Sequence, residues 1–368
     1  MYGQIEISGT GATGTDGSSD NRFRKILRRA KSFGKMLTTI RKWQNRHQDL
    51  RKINNNKLNN MNRITLFISS LLLLSATLFT GCGEIEGIVE LTTDAQKIRF
   101  SSSSKAMIID WGDGKTDSFA STSATTEISH TYENRGAHTV RMTVDSLTVL
   151  DCCHNQLTAL KVSSNTALKV LNCCNNLLTV LDVSRTALTE LWCYGNQLIA
   201  LDLRRNTALT VLSCWANQLT ALNVKRNIAL TDLHCAANKL TALNLSKNTG
   251  LTTLLCDNNK LTELDVSKNT ALTTLFCGVN QLTALDASKN TALLTLNCNN
   301  NKLTALDLSR NTALTRLFCG DNQFNADALN ALFSGLSTQS DRYIWIEDNP
   351  GRFTCDRSLA TEKGWTFK

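Results

Sequence analysis

Nine cysteines recur between residues 152 and 319 at a nearly constant spacing, and cysteine is a residue type that can bind zinc, form disulfides or act as a nucleophile. This spacing lacks the paired cysteines that zinc sites use. Successive turns of a repeat would instead stack the thiols in a core, where cysteine behaves as a small apolar residue. The pattern therefore favours packing. The nine are separated by 21 residues, with one interval of 20, and are Cys152, Cys173, Cys193, Cys214, Cys235, Cys256, Cys277, Cys298 and Cys319.

Two further cysteines could form a disulfide. Cys153 and Cys174 each follow a member of the series by one residue, so in alternating strands they would point outward on adjacent turns. We hypothesise that these two cysteines are joined.

Asp110 and Asp113, in the segment Asp110-Trp111-Gly112-Asp113-Gly114, could be acid catalysts or metal ligands. Aspartates in such a motif more often fix a tight glycine turn, and we favour that interpretation. No nucleophile and base pair or phosphate loop recurs in the sequence. We therefore predict no catalytic residue, no cofactor and no metal site, and we expect that the protein is not an enzyme.

The elements that position the cysteines are the turns of a repeat, L-x-x-L-x-C-x-x-N-x-L. In a short strand such as Leu275-Phe276-Cys277, the first and third side chains face the core and Phe276 faces out. One turn cannot bury its apolar side alone, whereas stacked turns form a continuous core and a parallel sheet. The motif is the leucine-rich-repeat signature, and it predicts a solenoid of nine parallel β rungs with little helix over residues 147–323.

Two columns of asparagines accompany the rungs. A tightly coiled backbone buries N–H and C=O groups, and asparagine can donate to and accept from them, so we assign both columns a structural role. The first column is Asn155, Asn176, Asn196, Asn217, Asn238, Asn259, Asn280, Asn301 and Asn322, and the second is Asn165, Asn206, Asn227, Asn248, Asn269, Asn290 and Asn311.

Outward strand positions are the candidate binding residues, since they should line the concave face of the sheet. Exposed tryptophan and tyrosine side chains with charged residues beside them are typical of protein-interface hot spots. Mutual shielding of neighbours in an exposed sheet is the alternative explanation. The candidates are Trp192, Tyr194, Trp215, His234, Leu255, Phe276 and Phe318, with Glu190, Asp232 and Arg316 beside them.

The repeat Asp-Val-Ser-Lys-Asn-Thr-Ala-Leu-Thr with one cysteine per turn resembles the internalin J type of cysteine-ladder repeat found in bacterial surface proteins, and the repeats of many lipoproteins of Bacteroidota. The resemblance covers about residues 147–323. It implies adhesion or binding to a protein partner, on a host or on a bacterial surface, and does not specify the ligand.

Residues 61–81 are predicted to be a signal peptide, with Arg63 ahead of an apolar run. The ending Phe79-Thr80-Gly81-Cys82 resembles a lipobox, which implies cleavage before Cys82 and attachment of lipid to it. A single-pass transmembrane anchor is the alternative, although the uncharged run only just reaches the roughly 17 to 20 residues that a membrane span needs.

Residues 1–60 are glycine- and serine-rich and then basic. A misassigned start codon, with Met61 as initiator, explains this leader better than a basic cytoplasmic arm does.

The chain has 40 basic and 31 acidic residues. Residues 1–60 hold 13 of the basic and 4 of the acidic residues, which leaves 27 of each in the rest of the chain. The chain beyond residue 60 is therefore neutral overall, and we predict no binding to nucleic acid.

The repeats are flanked by two smaller predicted segments. Residues 82–146 contain the Asp110 motif, then His130-Thr131-Tyr132 and Gly136-Ala137-His138, and resemble the PKD type of β-sandwich module, with His138 where that family usually has an aromatic. The module is short and could serve mainly as an N-terminal cap.

Residues 324–368 are predicted to form a helical C-terminal cap, with Asn325 as the helix N-cap and Ile346 in the cysteine position of a last rung.

Together these features predict a lipid-anchored protein of the cell envelope that binds a protein partner through its repeats. An outer-membrane lipoprotein is expected, either surface-exposed or periplasmic. A glycan-binding or glycan-hydrolysing envelope protein is the alternative, and a purely structural envelope protein is a third reading.

Overall fold

The computed structural model describes residues 87–119, 125–338 and 340–368 of the 368-residue chain. The predicted leader, signal peptide and Cys82 lie outside the described residues. Within the described ranges, no helix combines the length and the hydropathy that a membrane crossing requires.

Six antiparallel strands precede the repeats, in two layers that pack through Phe100 and Trp111, whose ring centroids lie 5.8 Å apart. The resemblance to a PKD module stays a prediction. The strands are β1 (Gly87–Thr93), β2 (Lys97–Ser103), β3 (Ala106–Asp110), β4 (Thr116–Phe119), β5 (Thr126–Thr131) and β6 (His138–Asp145).

Both layers continue into the first turn of the repeats. Strand β1 pairs with β8 (Leu157–Lys161), and β2 pairs with β7 (Val149–Asp151), in each case antiparallel. The N-terminal strands thus hydrogen-bond the edge that the first turn would otherwise expose, which is how native proteins protect a sheet edge.

The repeats form a parallel β-solenoid of about ten turns with little helix. Its strands pair in chain order, and the same leucine position meets in each pair up to Leu296 with Leu317, as in Leu212, Leu233 and Leu254. Ile344 takes this position in the next strand. After β7 they are β9 (Val170–Asn172), β10 (Glu190–Trp192), β11 (Val211–Ser213), β12 (Asp232–His234), β13 (Thr253–Leu255), β14 (Thr274–Phe276), β15 (Thr295–Asn297), β16 (Arg316–Phe318), β17 (Arg342–Trp345) and β18 (Trp365–Phe367).

The core is built from the leucines and the nine repeating cysteines, which we call the cysteine ladder. Each ladder cysteine is 0% exposed. Burial raises the pKa of the Cys256 thiol well above its usual value, and the same holds along the ladder. The thiols therefore stay protonated at neutral pH and pack as small apolar groups. The prediction that the ladder lies in the core is confirmed.

The two asparagine columns are buried but hydrogen-bonded differently. In the first, the side-chain amide of Asn259 donates to Cys235 O and Cys256 O, both at 3.1 Å, and its oxygen accepts from Leu240 N at 3.0 Å. In the second, Asn248 Nδ2 donates to Val224 O at 3.0 Å, while its Oδ1 has no partner among the described residues.

One turn carries a threonine in the second column. Thr186 is 6% exposed, its hydroxyl donates to Val183 O at 2.8 Å, and Asn206 Nδ2 donates to it at 3.1 Å. The turn with the 20-residue interval has therefore lost its asparagine to a threonine that occupies the same site, and the deleted residue follows it.

Beyond the last ladder cysteine the chain forms α1 (Ala326–Gly335) and α2 (Ser358–Thr361). Asn325 is the N-cap of α1, as predicted, with its Oδ1 accepting from Ala328 N at 2.8 Å. Ile346 and Trp365 are each 1% exposed. These segments carry the apolar core past Cys319, and their role as a cap stays a prediction.

Candidate binding surface

Outward positions of the parallel strands form two columns, which together with the residue after each ladder cysteine we call the strand face. Strand pairing keeps each column in register, because the inward leucine and cysteine fix which side chains point out. The first column runs Val149, Val170, Glu190, Val211, Asp232, Thr253, Thr274, Thr295, Arg316 and Tyr343. The second runs Asp151, Asn172, Trp192, Ser213, His234, Leu255, Phe276, Asn297, Phe318 and Trp345.

Trp192, Tyr194 and Trp215 form what we call the first aromatic cluster. Trp192 ends β10, Tyr194 lies two residues beyond it, and Trp215 lies two residues beyond the neighbouring strand β11. The rings of Tyr194 and Trp215 are stacked, with centroids 4.8 Å apart and planes 12° apart. Trp215 is 41% exposed. The ring separation equals the usual spacing of about 4.8 Å between strands, so the backbone itself holds the stack in place. This cluster offers a rigid apolar surface to solvent.

Polar groups border the first aromatic cluster. Glu190 and Asp232 lie in the same column with Val211 between them. His234 is half-buried, and its pKa is lowered by desolvation, which outweighs the opposing charge of Asp232. The imidazole is therefore neutral at physiological pH and can both donate and accept a hydrogen bond.

A second aromatic cluster, which we define as Phe318, Tyr343 and Trp345, lies at the other end of the strand face. Phe318 and Tyr343 meet edge to face at 5.4 Å, and the Arg316 guanidinium lies 6.0 Å from the Tyr343 ring centroid. A Cβ on Gly320 would lie 2.6 Å from the Trp345 ring, so only glycine leaves room for this tryptophan.

Sequence reasoning missed Tyr343 and Trp345 as surface residues, because they lie beyond the last cysteine. The alternation Tyr343-Ile344-Trp345-Ile346 was the available signal. Asp257 was missed as well, although it follows ladder residue Cys256. Desolvation raises the pKa of Asp257.

All ten predicted binding residues lie on the strand face, but they do not form one spot. Leu255 and Phe276 lie between the two clusters, and Asn297 separates Phe276 from Phe318. Their role in binding stays a prediction.

Adjacent turns are joined by a disulfide between Cys153 and Cys174, whose Cα atoms are 4.7 Å apart. The hypothesised bond is therefore present. Cys174 is 2% exposed, so only Cys153 fits the expectation that both would point outward. The pair precedes Tyr194 and Trp215 in the positions that follow the ladder cysteines, so the disulfide and the aromatic stack share one column.

Asp110 and Asp113 fix a turn in the N-terminal strands, as interpreted from the sequence. Asp110 accepts from Gly112 N and Asp113 from Lys115 N, both at 3.0 Å. Asp113 also lies 2.9 Å from His130 Nε2. Burial raises the pKa of Asp113, but the hydrogen bonds from Lys115 and His130 outweigh it and lower the pKa overall.

His138 stacks on Tyr132 with parallel rings whose centroids are 3.6 Å apart. The histidine thus packs as an aromatic residue would. Across the described part of the chain, no three His, Cys, Asp or Glu residues are grouped so that they could hold a metal ion.

Solved structures resemble the chain, whereas no family model matches it and no curated protein matches it significantly. It is 40% identical to the functional domain of InlJ from Listeria monocytogenes, which includes a cysteine ladder, over 60% of this chain and 48% of that one, with a TM-score of 0.54. The chain thus spans about half the length of the InlJ structure.

Two other solved structures are more distant. A leucine-rich-repeat protein of Leptospira interrogans is 20% identical over 56% of this chain and 67% of its own, with a TM-score of 0.44. The internalin inlF of Listeria monocytogenes is 17% identical over 60% of this chain and 86% of its own, with a TM-score of 0.40. The similarity to InlJ supports a leucine-rich-repeat solenoid with a cysteine ladder.

Proposed function

We propose that the chain is a non-enzymatic binding protein that holds a protein partner on its strand face, with the first aromatic cluster at the centre of the contact. The observation that carries the proposal is the exposed stack of Tyr194 on Trp215. Large aromatic side chains on a rigid sheet lose little conformational entropy on binding, which is why they dominate protein interfaces. The similarity to internalin repeats is in keeping with a protein partner and with a surface or secreted location.

The carboxylates beside the cluster suit recognition better than glycan hydrolysis. Hydrolysis needs two carboxyl groups on opposite sides of the scissile bond. Glu190 and Asp232 project from the same face of one sheet, two strands apart. They would border a bound partner and favour one with basic groups at its rim, since complementary charge selects partners and speeds their association.

A photocrosslinker placed on the strand face tests the proposal. With benzoylphenylalanine at Val211, which lies on the strand face between Glu190 and Asp232 and leaves the aromatic stack intact, irradiation of intact cells or host extracts is expected to give one discrete protein adduct. The matched control carries the same group at Thr262, an exposed residue of another turn away from the strand face. Adducts of equal yield at both positions, or glycan adducts at Val211, would contradict a protein-binding strand face.

We further propose that the protein is held at the cell envelope by lipid on Cys82, as an outer-membrane lipoprotein. The support is the sequence of the signal peptide and lipobox. Two acyl chains make stable membrane attachment, whereas a single chain gives only marginal binding.

The Cys82→Ser variant is expected to lose the lipid and to leave the detergent phase in Triton X-114 partitioning. The control Cys355→Ser changes the other cysteine outside the repeats and should partition as the unaltered protein does. Mass spectrometry of the N-terminal peptide checks the modification. A Cys82→Ser protein that is processed and partitions normally would argue against the anchor.

A further inference from the structure

Seven successive turns of the solenoid carry an exposed cation on the segment that returns from one strand to the next. These cations form one column at the same position of seven successive turns: Arg185, Arg205, Arg226, Lys247, Lys268, Lys289 and Arg310. Three residues earlier, each turn has an aspartate or an asparagine: Asp182, Asp202, Asn223, Asn244, Asp265, Asp286 and Asp307.

The aspartate position serves the turn as a hydrogen-bond acceptor, and charge is not needed there. Asp265 accepts from the backbone N–H of Ser267 at 2.9 Å. Asn223 accepts in the same way from Lys225 at 3.2 Å, and Asn244 from Ser246 at 3.1 Å. The fold therefore tolerates either residue, and the choice between them sets the local charge.

Most turns balance their cation with this aspartate. The pKa of Asp265 is lowered first by the hydrogen bonds from Ser267 and then by the charge of Lys268. Asp286 has the same relation to Ser288 and Lys289. The return segments of these turns are thus close to neutral.

In the turns that contain β10, β11 and β12, the cations outnumber the carboxylates of the return segments. Asparagine replaces aspartate in two of them, and Arg204 and Lys225 add cations where most turns have serine. Asp202 is paired with Arg204, at 2.7 Å. Five cations here face one carboxylate, and in the described part of the chain four of them form no ion pair. We call these four the cationic patch, and they are Arg205, Lys225, Arg226 and Lys247.

A surface depression lies within this region, lined by Ser184, Asp202, Arg204, Arg205 and Arg226. Asp202 is already neutralised by Arg204, so Arg205 and Arg226 are left to meet an anion. Guanidinium groups bind phosphate oxygens in a bidentate manner, which makes phosphate a fitting ligand.

Exposed aliphatic side chains occupy the same part of the solenoid. Ile228 is 63% exposed, Ile199 61% and Val180 71%. Threonine stands at the position of Ile228 in the other turns from Thr207 to Thr312, and at that of Ile199 in its neighbours Thr179 and Thr220. Cations mixed with protruding apolar residues are typical of proteins that lie on membranes.

We propose that the cationic patch and Ile228 form a docking surface for an anionic lipid membrane, with Arg205, Lys225, Arg226 and Lys247 at headgroup phosphates and Ile228 among the lipids. The patch lies on the return segments, so this contact leaves the strand face free for a partner. It does not depend on the function proposed for the strand face, nor on lipid at Cys82.

Vesicle sedimentation tests the proposal with residues 86–368, which form a compact unit of their own. Binding is expected to vesicles of phosphatidylglycerol and phosphatidylcholine in equal parts, but not to phosphatidylcholine alone. It should weaken steeply between about 0.1 M and about 0.5 M salt, because screening shortens the reach of each charge.

The sharpest variant is Asn223→Asp with Asn244→Asp, which keeps the turn acceptors and restores two carboxylates. Because each cation near an anionic surface contributes about 1 kcal/mol, cancelling two should weaken vesicle binding roughly 20- to 30-fold. The matched control, Lys268→Gln with Lys289→Gln, removes two cations from balanced turns and should change binding less than about twofold. Ile228→Thr is expected to weaken binding severalfold at every salt concentration.

Melting temperatures of all variants check that they fold. The proposal is overturned if the unaltered protein does not bind anionic vesicles, or if Asn223→Asp with Asn244→Asp and the lysine control lose binding equally. Retention on a heparin column without vesicle binding would assign the patch to a soluble polyanion and would equally refute membrane docking.

Discussion

Replacing Asn259 with alanine is expected to lower the free energy of unfolding by roughly 3 kcal/mol, because each buried polar group left without a partner costs about 1 to 3 kcal/mol. The Asn259 side chain donates to Cys235 O and Cys256 O at 3.1 Å and to Asp257 O at 3.2 Å, and it accepts from Leu240 N at 3.0 Å. Alanine would leave the Leu240 N–H with no acceptor inside the solenoid. Urea denaturation followed by circular dichroism measures the loss.

The second asparagine column supplies a matched control. The side chain of Asn248 makes only donor contacts, and its Oδ1 is unpartnered among the described residues. Thr186 already performs this role in another turn, with one hydroxyl. We therefore expect Asn248→Thr to cost less than half as much as Asn259→Thr. Equal costs would mean that the acceptor bond to Leu240 is not what distinguishes the columns.

The core could be predicted from the sequence because each turn repeats the same physical problem. Leu254 and Cys256 are buried on either side of Leu255 for the same reason that Leu275 and Cys277 flank Phe276. Alternation within a strand fixes the inward side chains, and repetition removes the usual ambiguity of a short apolar run.

The ends were harder to predict because the period stops there. The pairing of β1 with β8 and of β2 with β7 joins segments of unlike sequence, and no spacing signals it. Tyr343 and Trp345 continue the strand face after a helix, where the distance from the last cysteine is no longer 21 residues. Both features were left unpredicted because they arise from tertiary contacts that the local pattern does not encode.

Which residues lie on the strand face could be predicted from the sequence, whereas the arrangement of their side chains could not. Alternation predicts that the residue after each ladder cysteine lies at the surface, which identified Tyr194 and Trp215, although Cys174 at the same position is buried. Their stacking depends on ring rotamers, and the division into two clusters depends on Asn297 standing between Phe276 and Phe318. The cationic patch was not predicted because acidic residues on either side of the repeats make the chain beyond residue 60 neutral overall.

The double variant Trp192→Ala with Trp215→Ala is expected to weaken binding of the crosslinked partner by about 100-fold or more, since interface hot spots cost about 2 kcal/mol or more each when truncated. Loss of Trp215 also removes the stacking partner that holds Tyr194 in place. Binding is measured by surface plasmon resonance with the purified partner. Because these side chains lie outside the core, the melting temperature should not change.

The control for this variant is Thr253→Ala with Thr274→Ala, which alters the same face between the two aromatic clusters. It should leave the affinity within about twofold, because exposed threonines away from a hot spot contribute little. Loss of affinity in the control as well would place the contact across the whole strand face. An unchanged affinity after removal of both tryptophans would instead show that these rings only shield their neighbours, and the partner's site would have to be sought at the second aromatic cluster.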